Sequence, residues 1–176
     1  MKNIAIIPAR GGSKRIPGKN SKEFLGKPII AYSIELALKS RLFDEVMVST
    51  DDEKIALIAM QYGANVPFIR SKENAGDFAT LTDVIVEVID RYKSDGKLFE
   101  NICCILPTSP LTSGKRLREA YDKFIRENLE SVLAVVAFSY PILRALEFDD
   151  NKKLKMIWPE HLTTRSQDLK PAYHDS

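Results

Sequence analysis

Apolar positions change period repeatedly along the chain, and each change marks an element. "NIAIIP" (residues 3–8) is a continuous apolar run closed by Pro8, the pattern of a strand covered on both faces. "KPIIAYSIELALKS" (27–40) then places apolar residues at helical spacing, with Pro28 near its first turn. "EVMVST" (45–50) returns to a strand, and "DDEKIALIAMQYG" (51–63) is a second helix that opens on acidic residues and closes at Gly63. "NVPFI" (65–69) reads as a short third strand and "DFATLTDVIVEVIDRYKS" (77–94) as a third helix. "NICCILP" (101–107) reads as a fourth, fully buried strand, "SGKRLREAYDKFIRE" (113–127) as a fourth helix and "SVLAVVAF" (131–138) as a fifth strand. Strands alternating with helices predict an α/β fold with a mainly parallel sheet and helices on both faces.

From about residue 140 the rhythm breaks. "RALEFDDNKKLKMIW" (144–158) predicts a small hairpin turning at Asp149, Asp150 and Asn151. The closing "PEHLTTRSQDLKPAYHDS" (159–176) is polar and aperiodic, which predicts either disorder or a natural chain that continues past Ser176. The expected organisation is therefore a core over 1–139 and a hairpin-bearing segment of the same domain over 140–176.

Composition narrows the class. At 176 residues, 44% hydrophobic and 28% charged, the chain can bury one core. No apolar run reaches the roughly 18 residues of a membrane span and no cleavable leader is evident, so a cytoplasmic protein is expected. Cys103 and Cys104 are adjacent in a strand pattern, would point to opposite faces, and are expected to be buried thiols.

Charge changes the picture more. The net charge is only +2, yet six of the 26 Lys and Arg residues fall within residues 1–22, which hold no acid, leaving 20 against 24 acids elsewhere. The positive potential is local to "ARGGSKRIPGKN" (9–20), directly after the first strand. Ligands of open α/β sheets bind outside the carboxyl ends of the strands, where this loop belongs. Gly11 and Gly12 allow close backbone approach, Ser13 adds a hydroxyl, and Arg10, Lys14, Arg15 and Lys19 supply charge that neutralises phosphates. Neither the Walker A spacing nor G-x-G-x-x-G occurs. No aromatic platform interleaves with the cations, so a nucleic-acid partner is not expected.

The string "IIPARGGSKRIPGKN" (6–20) resembles the signature of the cytidylyltransferases that activate nine-carbon sialic-type sugar acids, and "VSTDDEKIA", "VPFIRSKENAGDFATLTDV", "LPTSPL" and "TRSQDLKPAYHD" follow in the order of that family. The resemblance implies a Rossmann-like nucleotidyltransferase fold, a homodimer, dependence on Mg²⁺, and conversion of CTP and the acid to a CMP-sugar and pyrophosphate. "KMIWPE" and the late "TRSQDLKPAYHD" favour pseudaminic acid as the sugar, with N-acetylneuraminic and legionaminic acids as alternatives, and a non-catalytic nucleotide-binding module as the alternative of another class.

By resemblance, Arg10, Lys14 and Lys19 are the catalytic cations, with Ser13 on the triphosphate and Asn20 orienting it. The pyrimidine is expected near Ala9, Arg70, Ala79 and Thr80, with Thr82 adding a hydroxyl and Leu81 standing where relatives often carry serine. Asp51 and Asp52 either serve the site or cap the second helix. Thr108 and Ser109 are candidate sugar contacts, Arg165 a carboxylate fork, and Gln167 and His174 further sugar-side residues. Leu106 takes a place that is polar or acidic in several relatives, which implies a less polar sugar pocket. Relatives carry their magnesium-binding aspartates beyond the position of Ser176, so no metal ligand is assigned.

Overall fold

The computed structural model describes residues 2–175. The chain divides into two compact units, Met1–Tyr121 and Asp122–Ser176, rather than near residue 140.

The first unit is built on a parallel sheet of β1 (Asn3–Pro8), β4 (Glu45–Ser49) and β5 (Asn101–Cys104), in the order β4-β1-β5. β2 (Glu23–Phe24) and β3 (Lys27–Pro28) form a short antiparallel pair before the first helix. The central strand is registered with Ile6 beside Met47 on one side and beside Cys104 on the other. The side-chain alternation of β1 feeds two cores. Ala5 and Ile7 pack with α1 (Ile29–Ser40) and α2 (Glu53–Gln61) through Ile30, Ile34, Ile55 and Ala59. Ile4 and Ile6 pack on the opposite face with Met47 and with Val88 and Tyr92 of α3 (Leu81–Ser94). Burial of each such side chain contributes about 1.5–3 kcal/mol, which is why "NIAIIP" is apolar without alternation.

Asp52 caps α2 by accepting from the Ile55 N–H (3.1 Å), so the capping alternative describes that residue. Thr80 caps α3 in a reciprocal box with Asp83, and the helix starts at Leu81 rather than at Asp77. α4 (Gly114–Arg126) runs across the division between the units.

Three expectations are corrected. "NVPFI" is not a strand: only Asn65 bridges to Met47, because Pro67 and the turn toward Arg70 end the pairing after one residue. "NICCILP" is not fully buried, since β5 edges the sheet, Ile102 is 46% exposed and both thiols are half-buried. Burial still pushes both thiols up to about 11, which keeps them protonated and inert at neutral pH. "SVLAVVAF" does not join the parallel sheet: β6 (Val135–Ala137) pairs antiparallel with β9 (Tyr173–Asp175) in the second unit.

That second unit also holds the predicted hairpin, β7 (Leu146–Phe148) against β8 (Leu154–Met156). Asp149 organises its turn by accepting from the Asn151 and Lys153 N–H groups at 2.9 and 2.8 Å. The polar tail is ordered into 3-10 turns at Pro159–His161 and Ser166–Asp168 before β9. Among the described residues, no helix is long and apolar enough to cross a membrane.

Candidate functional site

β1 lies between β4 and β5, so the chain leaves its carboxyl end at the point where strand order reverses, and a crevice opens there. A cavity of about 410 Å³ occupies the first unit at this place. One wall comes from the loop after β1 and the 3-10 turn Lys19–Ser21, through Arg10, Ser13, Lys14, Arg15, Lys19 and Asn20. A second comes from the segment between α2 and α3, through Arg70, Asn74, Gly76, Asp77, Ala79 and Thr80. Leu81 and Val84 of α3, with Leu106, Pro107 and Thr108 after β5, make the third and least polar wall.

Five of these side chains are cationic and one, Asp77, is anionic. Arg10 donates to the Gly76 carbonyl and to Asp77 Oδ1, each at 3.2 Å, and Lys14 Nζ pairs with Asp77 Oδ2. The Lys14 ammonium, and behind it Arg10, hold the Asp77 carboxyl below the usual carboxylate range. Lys19 and Arg15 line the same cavity and make no side-chain ion pair among the described residues. A surplus of positive charge therefore faces a concave surface, where low-dielectric walls strengthen its field.

Arg70 is built in rather than displayed. Only 6% exposed, it donates from Nε to Ser49 Oγ (2.9 Å) and from Nη2 to the Ser49 carbonyl, while its own N–H donates to the Thr50 carbonyl (2.8 Å). Burial pulls its guanidinium below the usual arginine value, an effect opposed by the charges of Asp51 and Glu87. Asn20 is 4% exposed; its Nδ2 donates to the Arg10 carbonyl (2.9 Å) and so fixes the backbone of that residue. Asn20 Oδ1 is buried without a hydrogen-bond partner among the described residues, an acceptor suited to a ligand hydroxyl or amine and not to a phosphate.

Other expected residues lie elsewhere. Ala9 is fully buried in the core with its N–H on the Ser49 carbonyl, and neither Gly11 nor Gly12 lines the cavity. The Gly11 N–H donates to Asp51 Oδ1 (2.9 Å), and a Cβ on Gly11 would stand 2.6 Å from Asp52 Oδ2. Close approach of the α2 cap already requires glycine there. Thr82 is exposed on α3 outside the cavity wall, and Ser109 accepts from the Thr112 N–H in a turn (3.2 Å). Arg165, Gln167 and His174 belong to the second unit. There Arg165 pairs with Asp168 (2.8 Å), Gln167 is exposed in a 3-10 turn, and the His174 ring packs edge-on against Phe138.

Two contributors were not found from sequence. Asp77 sits in an aperiodic loop, where an acid carries no signal. Glu87 reads as an ordinary helix acid, yet it accepts from the Ser71 N–H and Oγ (both 2.9 Å) and from Asn74 Nδ2 (2.6 Å), and pairs with Arg91 (2.9 Å). Burial opposes its charge, but these donors win and hold the carboxyl below its usual range. Among the described residues, no group of three or more His, Cys, Asp or Glu is placed to hold a metal ion.

Similarity to known proteins follows the same lines. A pseudaminic acid cytidylyltransferase of Campylobacter jejuni subsp. jejuni is 47% identical over 176 residues, which cover 100% of this chain and 76% of that protein. A CMP-N,N'-diacetyllegionaminic acid synthase of Legionella pneumophila subsp. pneumophila is 39% identical over 122 residues, 69% of this chain and 53% of that protein. The fold is shared with a solved CMP:2-keto-3-deoxy-manno-octonic acid synthetase complexed with CTP, at 20% identity and a TM-score of 0.69, covering 100% of this chain and 72% of that one. The cytidylyltransferase family model matches residues 4–170, which take in the basic loop, every wall of the cavity and most of the second unit. The chain belongs to the cytidylyltransferase family.

Proposed function

We propose that the protein transfers CMP from CTP to a nine-carbon sialic-type sugar acid, pseudaminic acid first among them, with release of pyrophosphate. The observation that carries this reading is the cavity at the strand-order reversal, lined by Arg10, Lys14, Arg15, Lys19 and Arg70 with a single carboxylate, Asp77. A sugar hydroxyl attacks the α-phosphorus, the bond to the bridging oxygen of the leaving pyrophosphate breaks, and the hydroxyl proton passes to solvent or buffer. Charge accumulates on the departing pyrophosphate, so fixed cations that meet it there lower the barrier. Arg10, Lys14 and Lys19 take this role, with Ser13 as a hydroxyl donor to the phosphates.

Arg70, Ala79 and Thr80 form the wall assigned to the pyrimidine. The Arg70 guanidinium is held by Ser49, so it shapes that wall as a rigid plate. Thr108 and the Leu106 and Pro107 surface are assigned to the sugar, and the apolar character of Leu81, Val84 and Leu106 supports an acetamido-rich or deoxy acid over a polyhydroxylated one. Mg²⁺ belongs to the reading as the counter-ion of the triphosphate. The described residues do not make a protein cage for it, and none of the steps above runs through it. We place the reaction in the cytoplasm. A homodimer is supported by the apolar side chains that the second unit leaves exposed, such as Val135, Phe148 and Leu154.

The test supplies CTP and Mg²⁺ with pseudaminic, legionaminic or N-acetylneuraminic acid in turn and follows pyrophosphate release. Turnover with pseudaminic acid fastest is the expected result, and preference for another acid reassigns the sugar. Lys19→Ala is expected to lose about 10²–10³ in turnover while keeping its melting transition; near-normal turnover would remove Lys19 from the machinery.

A further inference from the structure

Two of the five cavity cations are already engaged, and by the one acid in the wall. Asp77 bridges Arg10 and Lys14 with its two carboxylate oxygens, as two terminal oxygens of a phosphate would. Its loop is fixed from several sides. Glu87, anchored in α3, clamps Ser71 and Asn74. The Ala75 N–H donates to the Ser71 carbonyl (3.0 Å), and Thr80 ends the loop as the cap of α3. Gly76, immediately before Asp77, presents its carbonyl to Arg10, and a Cβ there would lie 3.2 Å from the Glu73 carbonyl. The carboxylate is thereby held at high effective concentration beside the cations, as a tethered ligand is.

We infer that Asp77 is an intramolecular counter-anion that fills the phosphate cradle of the resting enzyme, and that an incoming polyphosphate must displace it from Arg10 and Lys14. This rests on the assignment of the cavity to the triphosphate. It makes Asp77 a specificity-determining residue for the reaction. A polyphosphate replaces one negative charge with several and also reaches Lys19 and Arg15, so it recovers the displacement cost. Orthophosphate offers little beyond what Asp77 already provides, and it is kept out. Glu87 is a positioning residue in this scheme, acting through the loop that carries Asp77.

The experiment is calorimetric titration of the full chain with pyrophosphate and with orthophosphate at low ionic strength, for the wild type, Asp77→Asn, Asp77→Ser, Glu87→Gln and Lys19→Ala. Removing two partly exposed ion pairs is expected to tighten pyrophosphate binding of both Asp77 variants about three- to tenfold and to make orthophosphate binding measurable. Glu87→Gln is expected to shift in the same direction by a smaller factor. A structural lesion does not tighten anion binding, so the gain separates the proposed role from damage. Pyrophosphate binding that is unchanged or weaker in both folded Asp77 variants overturns the inference, while weakened binding by Lys19→Ala leaves the phosphate assignment standing. A wild type that binds no pyrophosphate, or a Lys19→Ala protein that binds it as well as the wild type, sinks both.

Discussion

Ile6, in the middle of the parallel sheet, is wholly buried, whereas Leu154, on the hairpin of the second unit, is 60% exposed. The contrast extends to both units. Every buried residue among those described lies between Asn3 and Pro107, and from Asp122 onward no described residue is buried. The first unit has two cores on the opposite faces of one sheet, and its cavity stands on that rigid base. The second has paired strands without an interior of its own. A ligand site that needs groups held to a fraction of an ångström belongs on the first kind of scaffold. Exposed apolar strands of the second kind are what the proposed homodimer would cover.

Three substitutions test the contrast, all read as shifts in urea unfolding. Ile6→Ala removes side-chain atoms packed against Met47, Val88 and Tyr92 and is expected to cost about 2–5 kcal/mol. A loss below about 1 kcal/mol would mean that the sheet is less closely packed than its burial indicates. Gly11→Ala forces a methyl group against Asp52, which caps α2, and is expected to cost about 1–3 kcal/mol. Should Gly11→Ala prove neutral, the close approach of loop and cap is not a constraint. Leu154→Ser, on the hairpin, is expected to stay within about 0.5 kcal/mol at protein concentrations where the chain is monomeric. A larger loss that depends on protein concentration would show that Leu154 is covered in an assembly.

Much of this fold was legible in the sequence, and the failures have physical causes. β1, β4 and the four helices follow from periodicity, because each buries a face whose spacing the chain must obey. β6 failed because its partner, Tyr173–Asp175, lies far along the chain in a segment too polar to read as a strand. Pairing between distant segments leaves no local trace. The basic loop was readable as a cluster of charge, but not the detail that Gly11 lies tight against Asp51 and Asp52. Arg70 was readable only through the family resemblance, since one cation after a short apolar run looks like a solvated one. Asp77 and Glu87 could not have been found at all: their importance is geometric, arising from which cations and loop groups the folded chain brings to them.

The capping box of α3 carries one more consequence. Asp83 places its own carboxylate at the positive end of that helix, and the box takes up the Thr80 and Asp83 N–H groups, so this terminus offers an incoming anion less than an uncapped one would. Attraction to an incoming nucleotide then falls heavily on cationic side chains, several of them open to water, such as Lys14 at 79% exposure. Dissolved ions screen charges of that kind over about 8 Å at physiological strength. Capture by this enzyme is therefore tied to the saltiness of its surroundings, in a way that a phosphate grip made of helix-terminal amides would not be.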